Sequence, residues 1–280
     1  QKESVRQRLD REGAGISFTE FTYMILQSYD FAELNRRFNC TLQLGGSDQW
    51  GNITGGIDLT RRMNGEQVFG LTMPLITKSD GSKFGKTESG TIWLAPARTS
   101  PYAFYQFWLG TADTDVYKFL KYFTFLEVAE IDAIEQADAE RQGRPEAQAI
   151  LAREVTRLVH GEEGLTAAER ITQAMFSGSI EELSEADVLQ LRQDGLPASS
   201  HARSELPETL TQMLTEAGMA GSGKQVKDAL GRNAVTINSR EIGWALNADF
   251  AGCFDPGAAL YSRFYITRLG KKKYHLFELS

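Results

Sequence analysis

The 280-residue sequence contains few cysteines, few histidines and no long apolar run. Its two cysteines, Cys40 and Cys253, lie far apart and form no C-x-x-C pair, so neither a disulfide framework nor a zinc site is indicated. No segment approaches the roughly 18 consecutive apolar residues that span a bilayer. Residues 1–13 are charged where a secretory signal would be apolar. We therefore expect a folded cytoplasmic protein without a membrane partner, a bound metal or an organic cofactor.

The sequence also lacks an excess of positive charge. Its 30 Lys and Arg residues face 37 Asp and Glu residues, which gives a net charge of -7. This balance argues against a protein that coats nucleic acid indiscriminately, although it leaves room for local basic patches. Hydrophobic residues make up 41% of the chain, enough for the cores of two or three domains. The chain begins at Gln1 within a helical pattern, so we expect sequence to be missing upstream.

The first part of the chain has the pattern of an α/β unit. A helical period begins near Ser17 and continues to Phe38. The strand-like run CTLQLGG, the helical run SDQWGNITGGIDLTRRM and a second strand-like run, QVFGLTMPLIT, then follow one another. Strand, helix and strand at this spacing predict a βαβ unit of a parallel sheet.

The remainder of the chain changes character after Trp93. Residues 99–195 are helical in pattern, and Thr99 or Ser100 is suited to cap the first helix. Residues 196–206 combine proline and serine without an apolar period, which predicts a linker. Residues 207–280 contain two short helical patterns and then alternating strand patterns. We therefore expect a helical domain, a linker and a small α+β module.

Three polar residues on the first predicted helix form a candidate binding group. Tyr23, Gln27 and Asp30 fall within about 60° of arc at helical spacing. A phenol, an amide and a carboxylate are groups that hold a small polar ligand, whereas an ordinary solvent-facing stripe remains the alternative. The opposite side of this helix carries an apolar stripe, made of Phe18, Phe21, Ile25 and Tyr29.

The glycine pair of LGGSDQWGN stands between the predicted strand and the following helix. Open parallel sheets bind ligands at this kind of turn, where glycine lets a nucleotide approach and a carboxylate such as Asp48 can bind ribose hydroxyls. Many strand-to-helix turns contain glycine for steric reasons alone, so this alternative stays open.

The segment KSDGSKFGKTESG, residues 78–90, contains three lysines and almost no apolar side chain. Lys83 and Lys86 flank Phe84 and Gly85, so both ammonium groups could close on a polyphosphate. Phosphoryl and adenylyl transfer need such neutralisation of charge on the leaving group. A solvated surface loop is the alternative.

Together these motifs resemble a known family. KFGKT is similar to the lysine signature loop of class I aminoacyl-tRNA synthetases, in the variant of bacterial tyrosyl-tRNA synthetases. YMILQSYDF and LGGSDQWGN resemble that family's tyrosine pocket and nucleotide-facing turn, and SGKQVKDALGRNAVTINSRE resembles an S4-type RNA-binding module. The resemblance covers essentially the whole chain.

The resemblance implies a fold class and a domain order. Residues 1–98 would be the second half of a Rossmann-like α/β catalytic domain with a parallel sheet. Residues 99–195 would form a helical domain on the anticodon side, and residues 207–280 an S4-like α+β module. The implied reaction joins L-tyrosine to ATP as tyrosyl-adenylate and then transfers the tyrosyl group to the 3′ end of tRNA(Tyr).

The resemblance also implies roles for individual residues. Tyr23 and Gln27 would hold the α-amino group of tyrosine, and Asp30 its phenol hydroxyl, so that loss of Asp30 would abolish tyrosine binding. Gln49 would contact the tyrosine carboxylate, and Gly46 and Asp48 the ATP ribose. Lys83, Lys86 and Thr87 would contact the triphosphate, and Mg²⁺ would accompany the ATP.

RNA contacts and a dimer interface are expected as well. The resemblance implies a homodimer contact at Phe18, with core packing of this side chain as the alternative. Basic residues of an otherwise acidic chain would contact RNA phosphates, namely Lys224, Lys227, Arg232, Lys271, Lys272 and Lys273.

One departure from the family pattern is the absence of its histidine motif. The three histidines, His160, His201 and His275, lie outside any His-x-Gly-His setting. We therefore expect this polypeptide alone to be inactive in pyrophosphate exchange.

Two rival interpretations remain, a tryptophan enzyme with the same fold and a non-catalytic RNA-binding remnant. The S4-like tail and the pair Gln27 and Asp30 favour tyrosine over tryptophan.

Overall fold

The computed structural model describes residues 17–79, 84–87, 90–243 and 250–280. The chain divides into two compact units, Gln1–Phe84 and Gly85–Ser280. In these described ranges, no helix is long and apolar enough to cross a membrane.

The first unit contains the predicted βαβ arrangement. Helix α1, Phe18–Phe38, precedes strand β1, Leu42–Gly46. A 3-10 turn, Ser47–Gln49, leads into helix α2, Trp50–Asn64, and strand β2 spans Phe69–Met73. Strands β1 and β2 pair in parallel, in register from Leu42 opposite Phe69 to Gly46 opposite Met73. The parallel βαβ unit is therefore confirmed, although no side chain caps the start of α2.

Close packing of α1 on α2 depends on a glycine. A Cβ atom at Gly56 would lie 2.8 Å from Cδ1 of Phe31, a side chain that is 1% exposed. The same constraint applies between α2 and the sheet, where a Cβ atom at Gly70 would lie 2.3 Å from Cγ2 of Ile53. Asn64 holds the far ends of the two helices together, because its Nδ2 donates to Ala32 O at 2.8 Å and to Asn35 Oδ1 at 2.9 Å.

The buried side of α1 differs from the apolar stripe of the sequence. Its buried residues are Ser28, Phe31, Ala32 and Asn35. The apolar stripe is exposed instead, as shown by the 82% exposure of Phe18 and the 45% exposure of Phe21. The contact with α2 buries a mixed set of small, polar and aromatic side chains of α1, and hydropathy alone does not reveal this set.

The second unit begins with a short hairpin and a group of helices. Strands β3, Lys86–Thr87, and β4, Gly90–Thr91, pair antiparallel. The helices that follow are α3, Pro101–Leu109; α4, Asp113–Phe123; α5, Val128–Glu140; α6, Ala147–Ser177; and α7, Glu185–Gln190. Ser100 caps α3 as predicted, since its Oγ accepts from Ala103 N at 3.1 Å. Gly161 interrupts the regular geometry of α6, with φ of 71° and ψ of -178°.

The C-terminal part of this unit is a five-stranded sheet with short helices. The helices are α8, Leu210–Glu216; α9, Gly223–Gly231; and α10, Phe250–Cys253. The strands are β5, Ala198–His201; β6, Val235–Ile237; β7, Arg240–Glu241; β8, Phe264–Leu269; and β9, Lys273–Leu279. Their order across the sheet is β5-β9-β8-β6-β7.

The predicted linker, residues 196–206, is corrected by this sheet. Strand β5 pairs in parallel with β9, from Ala198 opposite Leu276 to His201 opposite Leu279, and Arg203 N donates to Ser280 O at 2.9 Å. The polar segment forms a strand because the backbone N–H and C=O groups of β9 pair with it. This pairing depends on tertiary structure and cannot be predicted from the local sequence.

The two faces of the sheet belong to two different cores. One face packs with α8 and α9 through residues that include Tyr265 and Phe277. The other face packs Phe264, Ile266 and Leu276 against the helical region. Residues 99–280 therefore share buried contacts rather than forming two modules on a flexible tether.

Residues 85–98, which the sequence analysis grouped with the first domain, belong to the second compact unit. Trp93 N donates to Thr99 Oγ1 at 2.9 Å, and Gln193 Nε2 donates to Pro96 O at 3.0 Å. Those bonds tie the segment to the helical region.

A buried histidine lies where β5 meets β9. His275 is 5% exposed, and its Nε2 lies 2.9 Å from Ser199 Oγ. The same hydroxyl lies 2.9 Å from Nε2 of His201. Within the described part of the chain, His275 Nδ1 is buried without a hydrogen-bond partner. Burial, with a contribution from His201, lowers the pKa of His275 below its usual value.

This histidine predicts that the second unit loses stability in mild acid. Because the pKa of His275 is lower in the folded state, the unfolded chain binds the proton more readily. The resulting stability is present above the unfolded pKa of about 6.5 and is lost as pH falls toward the folded pKa. Urea denaturation of wild type and His275→Gln between pH 8 and pH 5 should give the steeper decline for wild type. Parallel pH profiles would contradict the assignment.

Candidate functional site

A chain of side-chain hydrogen bonds connects α1 with the turn that follows β1. Asn52 Nδ2 donates to Gln27 Oε1 at 3.1 Å and to Gln49 Oε1 at 3.0 Å. Gln49 Nε2 in turn donates to Asp48 Oδ2 at 2.9 Å. The structure therefore brings together three residues that the sequence assigned to one site, and it adds Asn52 as their common partner.

Asn52 was missed by sequence reasoning. It is 9% exposed and stands one helical turn after Gln49, so that both face the same side at the start of α2. The sequence signal that could have drawn attention to it is its spacing, three residues after Gln49 at the start of the helix that follows the glycine pair.

The glycine pair after β1 makes room for this group of side chains. A Cβ atom at Gly46 would lie 2.5 Å from Asp48 Oδ1, and one at Gly45 would lie 3.0 Å from Gln49 Cβ. The steric role of these glycines is therefore real. Because the backbone of Gly46 is extended, with φ of -72° and ψ of 163°, the glycine is required for space rather than for a left-handed conformation.

Tyr23 and Asp30 remain outside the hydrogen-bonded chain. Tyr23 is 55% exposed and Asp30 is also exposed. Asp30 borders an open groove of about 390 Å³ along α1, together with Glu33 and Arg37. Hydrogen bonds from Arg36 and Arg37 hold the pKa of Glu33 at about 2. The groove therefore presents an ionised carboxylate that two guanidinium groups already neutralise.

The lysine-rich segment is described only in part. Lys83 lies outside the described residues. Lys86 and Thr87 contribute backbone to β3, in register with Thr91 and Gly90. Their proposed contacts with a triphosphate therefore stay predictions.

The predicted RNA-binding residues lie on α9, just beyond it, and at the β8–β9 turn. Helix α9 buries Val226 and Leu230 and exposes Lys224 and Lys227. Just beyond α9, Ala234 O accepts from Gly270 N at 2.7 Å. This bond joins the end of the helix to the β8–β9 turn, where Lys271 and Lys272 are exposed. We name this set the basic end; it comprises Lys224, Lys227, Arg232, Lys271 and Lys272.

Charge pairing distinguishes the basic end from the helical region. Arginines of the helical region bind nearby carboxylates, in the pairs Arg141–Glu146, Arg153–Glu169, Arg157–Glu162 and Arg170–Asp187. At the basic end, no described carboxylate forms an ion pair with any member. Lys273, also predicted to contact RNA, uses its Nζ to donate to Met219 O at 3.0 Å.

The predictions about a bound metal and about a dimer interface both stay predictions. In the ranges that the structure describes, no group of three or more His, Cys, Asp or Glu residues could hold a metal ion. Phe18, predicted at a dimer interface, is strongly exposed at the start of α1, and its interface role remains a prediction.

Comparison with known proteins identifies the family. Residues 1–177 match the profile of the tRNA synthetases class I (W and Y). Since this match covers more than half of the chain, the chain belongs to that family, and the resemblance and fold class inferred from sequence are confirmed. Residues 187–277 match the tyrosine--tRNA ligase SYY-like C-terminal domain.

Individual relatives agree with this placement. The chain is 60% identical over 277 residues to a tyrosine--tRNA ligase of Aliivibrio fischeri, covering 99% of this chain and 63% of that ligase. It is 54% identical over 275 residues to the ligase of Serratia proteamaculans, covering 98% of this chain and 63% of that ligase. The chain thus spans less than two thirds of these relatives' length.

A solved structure is similar as well. It is a C-terminally truncated mitochondrial tyrosyl-tRNA synthetase of Aspergillus nidulans, 33% identical with a TM-score of 0.51, over 62% of this chain and 49% of that one.

The position of Asn52 predicts that it stabilises the first unit. Asn52→Ala removes the donor shared by the side-chain oxygens of Gln27 and Gln49, and each of the two lost hydrogen bonds contributes about 0.5–1.5 kcal/mol. Urea denaturation should show a loss of this size. Gln67→Ala, which removes an exposed amide in the same unit, is the control and should change stability by less than about 0.5 kcal/mol. Equal effects of the two substitutions would contradict the role of Asn52.

Proposed function

We propose that the chain acts in a tyrosine-tRNA ligase. Such an enzyme activates L-tyrosine with ATP and transfers the tyrosyl group to the 3′ end of tRNA(Tyr). The observation that best supports this function is the hydrogen-bonded chain of Gln27, Asn52, Gln49 and Asp48. It joins the residues assigned to the amino acid with a residue assigned to the nucleotide.

In the proposed first step, a carboxylate oxygen of tyrosine attacks the α-phosphorus of ATP. The bond to the bridging oxygen breaks, and pyrophosphate leaves with the electron pair. The nucleophile is already an anion, so no general base is required, and catalysis consists of positioning and neutralisation of charge. Lys83, Lys86 and Thr87, together with Mg²⁺ carried by ATP, would supply that neutralisation.

The amino-acid contacts follow from the orientation of two glutamines. Asn52 uses one lone pair of each glutamine oxygen, and an amide oxygen has a second. In our proposal the remaining lone pair of Gln27 Oε1 accepts from the tyrosine ammonium group, beside Tyr23. Gln49 directs its amide toward the tyrosine carboxylate, and Asp30 accepts the phenol proton.

The nucleotide and its partners complete the proposal. The ribose would lie against Gly46 and Asp48, where the absence of a Cβ atom leaves space beside the carboxylate.

We also propose that the enzyme works in the cytoplasm as a homodimer, with Phe18 at the interface. The strong exposure of this phenylalanine supports such a contact.

RNA binding without catalysis is a second candidate function. The unpaired lysines of the basic end favour it, because free ammonium groups bind phosphates without first breaking an ion pair. The two candidates predict the same RNA surface and differ only in the tyrosine site. A tryptophan enzyme receives less support, since the matching C-terminal profile is that of tyrosine ligases.

Substitution of Asp30 tests the tyrosine site. The enzyme would be a chimera of this chain with the part of the Aliivibrio fischeri ligase that it does not cover. A hydrogen bond to a charged acceptor contributes about 1.5–3 kcal/mol, so calorimetry should show tyrosine binding weakened at least about tenfold in Asp30→Ala.

The control for that experiment is Asp58→Ala, which removes an exposed carboxylate of α2 that pairs with Arg61 and Arg62. It should leave the affinity for tyrosine unchanged. Equal tyrosine affinity in wild type and Asp30→Ala would remove Asp30 from the site. Failure of the wild-type chimera to bind tyrosine would favour RNA binding without catalysis.

Substitution at the basic end tests the RNA surface. The double variant Lys271→Gln/Lys272→Gln should weaken binding of a tRNA(Tyr) transcript. It should also flatten the salt dependence of log K by about 0.7–0.9 for each phosphate that the variant no longer neutralises. Filter binding at several KCl concentrations measures both quantities. The matched control is Arg61→Gln/Arg62→Gln, which removes two exposed charges from α2. An unchanged salt slope in the lysine variant would refute the assignment.

A further inference from the structure

Each hydrogen bond between Asp48 and Gln27 has a defined donor and a defined acceptor. Gln49 Nε2 donates to Asp48 Oδ2 at 2.9 Å, and Asn52 Nδ2 donates to Gln49 Oε1 at 3.0 Å. The same Asn52 nitrogen donates to Gln27 Oε1 at 3.1 Å. An amide nitrogen carries two N–H groups, so Asn52 uses one of them for each glutamine.

The direction of these bonds is set at the Asp48 end. An ionised carboxylate accepts hydrogen bonds and donates none, so Gln49 turns its Nε2 toward Asp48 and its Oε1 toward Asn52. That oxygen needs a donor, and the Asn52 amide nitrogen therefore faces it. The second N–H of this nitrogen needs an acceptor, which Gln27 supplies with its Oε1. With all three amides turned over, an amide oxygen would lie against the carboxylate.

Asn52 is the buried link of the chain. It is 9% exposed, whereas Gln27 and Gln49 are half-buried and Asp48 is exposed. A buried amide depends on hydrogen bonds with protein groups because water reaches it poorly. Among the residues that the structure describes, no Lys, Arg or His forms an ion pair with Asp48. Its acceptor capacity is therefore available to Gln49 and to a ligand.

The packing of α1 on α2 holds Asn52 and Gln27 at bonding distance. Gly56 stands one helical turn after Asn52, and Phe31 stands one turn after Gln27. A Cβ atom at Gly56 would lie 2.8 Å from Phe31 Cδ1, so the two helices approach closely beside the hydrogen bond. This close approach keeps the two amides in contact without a ligand.

The orientation of the Gln27 amide decides what it offers to a ligand. With Oε1 toward Asn52, one lone pair of this oxygen remains for an ammonium group. In the reversed orientation Nε2 would face Asn52, and the remaining N–H would face the ammonium, so that two donors would meet. In the proposed function this ammonium belongs to tyrosine, and the inference that follows rests on that function.

We propose that Asn52 is a positioning residue that transmits the acceptor character of Asp48 to Gln27. A carboxylate assigned to the nucleotide thereby sets the amide orientation that tyrosine requires. Coupling between two binding sites is reciprocal. Ribose hydroxyls that hold the Asp48 carboxylate in place therefore strengthen tyrosine binding, and bound tyrosine strengthens binding of the ribose.

A double-mutant cycle on tyrosine affinity tests this transmission. Calorimetry without nucleotide, on the chimera with the Aliivibrio fischeri ligase, compares wild type, Asp48→Asn, Asn52→Ala and the double variant. A carboxamide both donates and accepts, so Asp48→Asn no longer fixes the direction of the chain and should weaken tyrosine binding about threefold. Asn52→Ala should weaken it about three- to tenfold. The double variant should bind tyrosine no more weakly than Asn52→Ala alone.

Asp58→Asn is the matched control. Asp58 is an exposed carboxylate of α2 that pairs with Arg61 and Arg62. The substitution removes the same charge from the same unit, and we expect tyrosine affinity to stay at the wild-type value.

A second measurement separates positioning from a purely structural role. Adenosine carries the ribose without the triphosphate, and at saturation it should tighten tyrosine binding to wild type about threefold. It should have no such effect on Asn52→Ala, and 2′,3′-dideoxyadenosine should have none on either protein. Loss of packing alone would lower the melting temperature of Asn52→Ala and leave the effect of adenosine unchanged, which would contradict the proposal.

The outcomes of the cycle distinguish this inference from the proposed function. Additive losses in the double variant would show that Asp48 acts on tyrosine without Asn52, and unchanged tyrosine affinity in Asp48→Asn would show that it does not act at all. Either result would overturn the inference alone. A wild-type chimera that does not bind tyrosine would refute the proposed function as well. If Asn52→Ala does not fold, Asn52→Ser replaces it in the cycle, because one hydroxyl donor cannot serve both glutamines.

Discussion

The pairing of β8 with β9 is the constraint on which most of the second unit depends. Because side chains alternate across a strand, this one ladder supplies Tyr265 and Phe277 to one core and Ile266 and Leu276 to another. The helical region and the short helices α8 and α9 are therefore held by opposite faces of the same hairpin. A shift of one residue in register would exchange the two sets of side chains.

That arrangement explains which charged side chains of the sheet remain exposed to solvent. Side chains in the middle of the ladder are buried on both faces, whereas the end near the turn exposes charged side chains. Lys271 and Lys272 occupy that end, and Arg268 stands at its border with the core. Carboxylates neutralise several arginines of the helical region, whereas no described carboxylate forms an ion pair with Lys271 or Lys272.

The first unit uses polar contacts to place functional groups where two elements meet. The sequence does not specify which acceptors the Asn52 amide will bind, since either glutamine or both could accept its protons. Folding places Gln27 and Gln49 on either side of it. The glycines at positions 56 and 70 let α2 approach α1 and the sheet closely enough for this to happen.

The sequence by itself determined the parallel βαβ unit, the succession of helices, a cap at Thr99 or Ser100 and the terminal hairpin, because each depends on local periodicity or on a turn residue. Only the tertiary structure decided that residues 198–201 form a strand, that α1 buries Ser28 and Phe31 rather than Phe18 and Phe21, and that Asn52 joins the site. These features depend on partners distant along the chain. The local sequence of a backbone segment or of an amide side chain does not specify which distant group will form hydrogen bonds with it.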